Sequence, residues 1–219
     1  MTAIALDPND TSGNTVYLGT TGGGVWKSTT VAGPLANVTF TPLTDTLPVF
    51  SINAGSATIP SLSIGGVAVQ PAPNPVILAG TGDPNDATDS LYGEGILRST
   101  DGGQTWTIAT LSQELLGAQP YYHTFAGLST AALAWSTAST NLVVAAMSVS
   151  PQAAIVDAAL FTSVPGLYYS TDSGATWHMA TIYDGAQLVQ TPQPTGTGQI
   201  GNAATSVVWN AARGLFFAA

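Results

Sequence analysis

The sequence predicts an all-β chain organised as a β-propeller of four-stranded antiparallel blades, and one repeated pattern carries that prediction. Three segments begin 71 residues apart and share apolar residues followed by Ser-Thr: GVWKST at 24–29, GILRST at 95–100 and GLYYST at 166–171. Two short β-like runs precede each copy, and one alternating run follows it. Four short strands repeated in tandem are typical of propeller blades, whose core lies between neighbouring blades.

The strands of each repeat can be assigned in chain order. Strands A and B are two runs separated by turn residues: TAIALDPNDTSGNTVYLGT (2–20), GGVAVQPAPNPVILAGT (65–81) and AALAWSTASTNLVVAA (131–146). Strand C is the repeated copy itself. Strand D is the alternating run that follows: VTFTPL (38–43), TWTIAT (105–110) and TWHMAT (176–181). No segment shows convincing helical periodicity, and 110–118 is expected to form one or two helical turns at most.

We therefore expect one incomplete propeller segment over 1–219 with about three and a half blades. The expected bounds are about 2–44, 65–110 and 131–181 for three blades, with a partial fourth at about 206–219. A β-sandwich is disfavoured because it offers no reason for an equal interval between copies. An open ring would expose apolar surface and strand edges, so we expect the remainder of a longer protein or a partner chain to complete it.

Composition narrows the function classes. The 219 residues include 3 Lys or Arg against 12 Asp or Glu, with a formal charge of −9 and no cysteine. So few cations cannot neutralise a run of phosphates, and we expect neither nucleic-acid binding nor membrane attachment. The lack of cysteine excludes disulfides and thiolate chemistry. The N-terminus MTAIALDPND lacks the layout of a signal peptide, so the protein is cytosolic or a leader was removed.

Two links between strands C and D share one motif. Residues 99–106 read STDGGQTW and residues 170–177 read STDSGATW, and both fit S-x-D-x-G-x-T-W. This motif resembles the Asp-box, or bacterial neuraminidase repeat, of sialidases, xyloglucanases and sortilin-type receptors. A short Asp side chain can accept hydrogen bonds from nearby backbone N–H groups and close the turn. We expect structural roles for Ser99, Asp101, Gly103, Thr105, Trp106, Ser170, Asp172, Gly174, Thr176 and Trp177.

Within this motif the glycines and tryptophans have separate expected tasks. Gly103 and Gly174 allow the positive φ that such a turn requires, and Trp106 and Trp177 are expected to bury their rings between blades. The first repeat departs from the pattern, because Thr30 follows Ser-Thr and no Asp is present. We expect that blade to form with a longer link that lacks the Asp-closed turn.

The candidate ligand site lies on the other links. The resemblance implies a functional face built from the B–C and D–A links, opposite the Asp-boxes. The links at 80–94 and 111–130 supply the candidates Asp83, Asp86, Asp89, Tyr92, Glu94, Tyr121, Tyr122 and His123. Carboxylates beside aromatic rings suit the hydroxyls and apolar faces of sugars, which makes carbohydrate the expected ligand and protein the alternative.

The same acids allow a calcium site as an open alternative. Asp83, Asn85, Asp89 and Glu94 occupy positions 1, 3, 7 and 12 of a twelve-residue calcium loop. Position 5 is an alanine and position 6 lacks the turn glycine, so the pattern is broken in its middle. We therefore expect no metal and no cofactor.

Two enzymatic activities of the resembling families can be tested against the residues. Sialidases hold a substrate carboxylate with three arginines, whereas this chain has only Arg98 and Arg213. The first blade of xyloglucanases resembles Y-A-R-T-D-V-G-G-A-Y-R, with a catalytic Asp. Residues 17–27 here read YLGTTGGGVWK, so Thr21 stands in the place of that acid. Neither activity carries over, and no catalytic residue is assigned.

The resemblance and the residues together favour a secreted or surface-exposed Asp-box propeller that acts as a binding or scaffold module for carbohydrate. This chain alone is not expected to be an enzyme. Two alternatives stay open: part of a glycoside hydrolase whose catalytic residues lie largely outside this chain, and a polypeptide-binding assembly or receptor propeller.

Overall fold

A computed structural model of the protein describes residues 2–44, 62–85, 87–116, 118–156, 163–195 and 198–219. Within these ranges the chain is almost entirely β-structure, apart from a 3₁₀ turn at Leu35–Asn37 and a short helix, α1, at Pro151–Val156. No helix among these residues has the length and apolar character needed to cross a membrane.

Three antiparallel meanders of four strands form the complete blades. Blade 1 contains β1 (Ala3–Leu6), β2 (Val16–Thr20), β3 (Gly24–Ser28) and β4 (Thr41–Pro42). Blade 2 contains β5 (Ile64–Val69), β6 (Ile77–Thr81), β7 (Ile96–Ser99) and β8 (Thr107–Ala109). Blade 3 contains β11 (Leu128–Trp135), β12 (Val143–Val149), β13 (Gly166–Ser170) and β14 (His178–Met179). A further hairpin pairs β18 (Val207–Asn210) with β19 (Leu215–Ala218). The predicted propeller fold is confirmed.

Two links between blades contain strands that the sequence did not predict. The link after blade 2 forms a hairpin of β9 (Leu111–Leu116) and β10 (Gln119–Thr124). The link after blade 3 forms β15 (Ile182–Asp184), β16 (Gln187–Thr195) and β17 (Gly198–Ile200). The helical turns considered for 110–118 are therefore wrong. Burial alternates with a period of two along Leu111–Leu115, which is the pattern of a strand with one covered face.

The hydrophobic core lies between neighbouring blades. One cluster joins Tyr17 and Val25 of blade 1 to Ile77 and Trp106 of blade 2. A second cluster joins Leu78 and Ile96 of blade 2 to Met147, Tyr168 and Trp177 of blade 3. Each aromatic ring of an Asp-box thus packs toward the preceding blade, and apolar burial at these two seams holds consecutive sheets together.

The Asp-box turns are closed by one carboxylate each. Asp101 Oδ1 accepts hydrogen bonds from the backbone N–H groups of Gln104 and Thr105, at 3.0 and 2.9 Å. Asp101 Oδ2 accepts one from the Thr105 hydroxyl at 2.5 Å. Asp172 makes the equivalent bonds to Ala175 and Thr176.

Glycine and tryptophan complete each turn. Gly103 and Gly174 have φ values of +94° and +78°, which a residue with a Cβ rarely adopts. The Trp106 and Trp177 indole N–H groups donate to the carbonyl groups of these two glycines, at 3.0 and 3.2 Å. In blade 1 the corresponding link has no Asp. The Ser28 hydroxyl accepts the Thr30 N–H at 3.2 Å and lies 3.3 Å from the Thr30 hydroxyl.

Each Asp-box turn also touches the blade before it. Arg98 of blade 2 donates from Nε to the carbonyl of Ser173 in the blade 3 turn, at 2.9 Å. Gln70 of blade 2 donates to the Ser173 hydroxyl at 2.9 Å. One of the three cations of the chain therefore serves as a link between blades.

Replacing Asp101 by asparagine is expected to lower the melting temperature at neutral pH. Hydrogen bonds from Thr105 hold the pKa of Asp101 down to about 2. A depressed pKa means that the ionised carboxylate stabilises the fold above the ordinary pKa of aspartate, and that this contribution disappears as the pH falls through about 2. Melting temperatures of both proteins, measured from pH 7 to 2, should converge at the acid end. Asp89→Asn, at an exposed site, should match the wild type throughout.

Candidate functional site

The B–C and D–A links come together at one end of the sheets, which we call the link face: residues 82–95, 110–127, 150–165 and 180–206, where described. In a four-stranded meander these links lie at one end, and the A–B and C–D turns lie at the other. The Gly93 N–H donates to the Leu128 carbonyl at 2.7 Å, and the Gly127 N–H donates to the Gly93 carbonyl at 2.9 Å. The Tyr92 N–H donates to Gln152 Oε1 at 3.2 Å. These bonds join three links into one surface.

The Asp83 side chain stabilises the turn of its own loop. Its carboxylate accepts hydrogen bonds from the backbone N–H and the side-chain amide of Asn85, at 3.0 and 2.7 Å. Its own N–H donates to the Leu91 carbonyl at 2.7 Å, and the residue is buried. Asp89 is exposed on the same link, whereas Asp86 lies outside the described residues.

Asp83 and Asp89 therefore have different surroundings, since the first is buried in a turn and the second is exposed. Among the residues that the structure describes, no group of three or more His, Cys, Asp or Glu side chains is arranged to hold a metal ion.

Glu94 lies at the base of the link, just before β7. The Thr81 hydroxyl accepts hydrogen bonds from the N–H groups of Glu94 and Gly95, both at 2.9 Å, and donates to the Gly95 carbonyl at 2.7 Å. One oxygen of the Glu94 carboxyl group, Oε1, is enclosed by protein and accepts no hydrogen bond. Burial raises the pKa of Glu94 above its ordinary value, because a buried carboxylate loses its hydration.

The aromatic candidates on β10 divide between the two faces of the β9–β10 hairpin. Tyr122 points outward with 50% of its surface exposed. His123 is buried on the inner face, where its Nε2 lies 3.0 Å from the Pro192 carbonyl. Tyr121 lies beside it, with a ring-centroid distance of 5.1 Å. Of these three residues Tyr122 is the most exposed, and its ring is the best placed to meet a ligand.

A buried polar cluster beneath this hairpin was not predicted. Glu114 is buried and accepts a hydrogen bond from the Met179 N–H at 2.5 Å, and its other oxygen lies 3.4 Å from His178 Nδ1. Burial, together with the negative charge of Glu114, raises the pKa of Tyr168 above its usual range. The alternation along β9 is the signal that could have placed Glu114 on the covered side. This cluster docks the hairpin onto blade 3.

The three cations of the chain all lie toward the opposite end. Lys27 is near the end of β3, with Nζ 5.2 Å from the centre of the Tyr17 ring. Arg98 is near the end of β7 and binds the blade 3 Asp-box, and Arg213 lies in the turn between β18 and β19. The link face has no Lys or Arg, but it carries several described acids: Asp83, Asp89, Glu94, Glu114 and Asp184.

Comparisons with known proteins return structures of GH74 enzymes. An ancestral GH74 enzyme shares 18% identity over 84% of this chain, with a TM-score of 0.47 and 19% of that chain covered. The GH74 enzyme of Niastella koreensis shares 18% identity over 99% of this chain, with a TM-score of 0.45 and 29% covered. The GH74 xyloglucanase from Xanthomonas campestris shares 17% identity over 99% of this chain, with a TM-score of 0.37 and 37% of that chain covered.

The chain thus spans between 19% and 37% of the length of these structures. No protein-family model and no curated protein matches the sequence. Likenesses of this size assign no activity, and the propeller fold follows from the three four-stranded sheets themselves.

Proposed function

We propose that the link face binds carbohydrate, with the outer side of the β9–β10 hairpin as its main platform. The observation that carries this proposal is the exposed Tyr122 ring directly opposite Gln113 in the hairpin register. An aromatic ring can pack against the apolar face of a sugar, and a neighbouring amide can bind its hydroxyl groups. Both side chains are exposed, and the outer side of the hairpin carries no charged residue.

The platform is rigid because β9 is fastened to blade 3. The Gln113 N–H donates to the Trp177 carbonyl at 2.9 Å, and the Gln113 carbonyl lies 2.6 Å from His178 Nδ1. On the inner side Glu114 accepts the Met179 N–H. A preorganised aromatic side chain loses little conformational freedom on binding, which favours affinity.

Replacing Tyr122 by alanine is expected to weaken glycan binding about tenfold or more, because the stacking surface is lost. A glycan array would identify the ligand, and isothermal titration calorimetry would give the affinity of each variant. Tyr122→Phe should keep most of the affinity because the ring remains. Thr39→Ala, at an exposed position in the C–D link of blade 1 at the opposite end, should bind as the wild type does. Equal affinity for Tyr122→Ala and wild type would contradict the platform.

Polypeptide binding is the second candidate, and two exposed apolar side chains favour it. Leu115 on the hairpin is 71% exposed, and Ile155 on α1 is 67% exposed. Apolar side chains in such positions often mark protein contacts. A loss of peptide capture on Leu115→Ser, with glycan binding absent in the wild type, would support this candidate. Release of reducing sugar from bound glycans would instead support a role within a glycoside hydrolase.

We also propose that further blades pack on the two outer sheets. Ile4 and Leu6 of blade 1 are largely exposed, as are Val208 and Phe217 of the β18–β19 hairpin. In an inner blade such positions are covered by the next sheet, as seen at the two seams described above.

We further propose that the protein works outside the cell or at its surface. Immunolabelling of intact cells would test the location.

A further inference from the structure

We propose that Glu94 contacts the bound glycan as an uncharged carboxyl group, on a face that selects neutral glycans over acidic ones. This inference rests on the carbohydrate binding proposed above and names the class of sugar that the link face takes.

The position of Glu94 is determined by rigid backbone contacts. The buried Thr81 hydroxyl engages the N–H groups of Glu94 and Gly95 and the Gly95 carbonyl, so the residue is held at the junction of β6 and β7. On the other side Gly93 exchanges hydrogen bonds with Gly127 and Leu128. A side chain on such a base is a defined feature of the link face and is not carried on a free loop.

The two oxygens of the Glu94 carboxyl group have different surroundings. Oε1 is enclosed without a hydrogen-bond donor, whereas Oε2 is not enclosed in this way. An ionised carboxylate would bury part of its charge without a partner, which is costly. A neutral carboxyl group suits this setting, because the C=O oxygen can be buried while the O–H group remains at the surface and donates a hydrogen bond. A sugar hydroxyl, ring or glycosidic oxygen can accept it.

The groups around Glu94 reinforce the neutral form. On its own link the titratable neighbours are Asp83, Asp89 and Tyr92, of which the first accepts the Asn85 donors and the second is exposed. Uncharged residues of other elements form hydrogen bonds with this link: Thr81 of β6, Gly127 just before β11, Leu128 of β11, and Gln152 of α1. None of these contacts supplies a cation that would favour an ionised Glu94.

The same charge distribution decides between classes of glycan. A sialylated or uronate sugar would bring carboxylates to a face that carries acids and no Lys or Arg, while all three cations lie at or near the other end. Like charges without a counter-ion repel, and the repulsion is not relieved by a specific ion pair. A neutral oligosaccharide brings hydroxyl groups only, which the amide, phenol and carboxyl groups of this face can bind.

The proposal is tested with three variants: Glu94→Gln, Glu94→Ala and the control Asp7→Asn, which changes an acid in the A–B turn of blade 1 at the opposite end of the sheets. Glu94→Gln keeps a neutral side chain of similar shape, and it should bind within about threefold of the wild type at pH 4, below the ordinary pKa of glutamate. Glu94→Ala should lose about fivefold to tenfold. The wild type should bind more weakly as the pH rises through the Glu94 pKa, whereas Glu94→Gln should not. Asp7→Asn should follow the wild type.

A second measurement does not depend on any ligand. A folded-state pKa raised above its unfolded value gives stability that is present at low pH and is lost as the pH rises through the folded pKa. Glu94→Gln should therefore melt at a higher temperature than the wild type at pH 8 and at a similar temperature at pH 4. A lower melting temperature for Glu94→Gln at pH 8 would overturn the neutral carboxyl group.

A comparison of neutral with acidic glycans distinguishes failure of this inference from failure of the proposed function. Matched glycans with and without a uronate or sialyl group should differ by about tenfold or more in favour of the neutral member. Equal or tighter binding of the acidic member, or equal losses in Glu94→Gln and Glu94→Ala, would overturn the inference while glycan binding itself stands. If the wild type binds no glycan of either kind, the proposed function fails and the Glu94 contact fails with it.

Discussion

Replacing Trp177 by alanine is expected to lower the free energy of unfolding by about 3–5 kcal/mol. The ring is 1% exposed and belongs to the core cluster between blades 2 and 3. Its neighbours in that cluster include Leu78, Ile96 and Tyr168, all fully buried, so the seam cannot collapse easily around the space left behind. The indole N–H bond to Gly174 is lost as well. Urea denaturation, followed by circular dichroism, measures the effect.

Two controls distinguish a seam effect from the general loss of a tryptophan. Trp26→Ala removes a partly buried indole on β3 and should lower the free energy of unfolding clearly less. Trp177→Phe keeps an aromatic ring at the seam and should recover much of the stability. If Trp177→Ala and Trp26→Ala unfold at the same urea concentration, the seam between blades 2 and 3 does not carry the stability assigned to it.

Replacing Gly80 by alanine is expected to lower the free energy of unfolding by about 1–3 kcal/mol or more. A methyl group added at Gly80 of β6 would overlap the Thr130 side chain of β11. Thr130 is fully buried, and its hydroxyl donates to the Met147 sulfur at 3.3 Å, so it has little room to move. The two blades meet here too closely to admit a Cβ atom.

The cross-strand neighbour of Gly80 supplies a matched control. Gly66 of β5 pairs with Gly80 in the same sheet, but a Cβ atom there would meet its nearest neighbour, Ala132, at an ordinary 3.5 Å. Neither glycine has a positive φ, so alanine brings no backbone strain at either site. Gly66→Ala should leave the stability unchanged or raise it by a few tenths of a kcal/mol. Thermal unfolding of both variants would show whether the close approach is confined to Gly80.

Much of the fold could be predicted because its signals are local and recur. We assigned all four strands of each blade from short runs bounded by turn residues. These are the strand of the GVWKST-like segment, the two strands before it and the alternating run after it. An equal interval of 71 residues then identified the blade as the unit. These features need no knowledge of which blade touches which.

The candidate site was harder to predict, because its side chains are sorted by contacts between links. Tyr121, Tyr122 and His123 are adjacent in sequence, yet Tyr122 is exposed, Tyr121 is partly buried and His123 is buried, since blade 3 covers one side of the hairpin. Asp83 and Glu94 both belong to the acidic link, yet Asp83 closes a turn while Glu94 has an enclosed oxygen without a donor. Sequence spacing does not reveal such differences in solvation.

Three features can be predicted from the amino-acid sequence: the all-β repeat, the order of the blade strands and the lack of cations on the links. Periodic apolar residues, turn residues and charge counts are properties of the chain and do not depend on its folding. Three other features depend on tertiary contacts: the β9–β10 hairpin, the burial of Glu114 and His123, and the enclosure of Glu94 Oε1. Those features arise where residues far apart in sequence exclude water from one another, and burial of that kind depends on how the links pack on the blades.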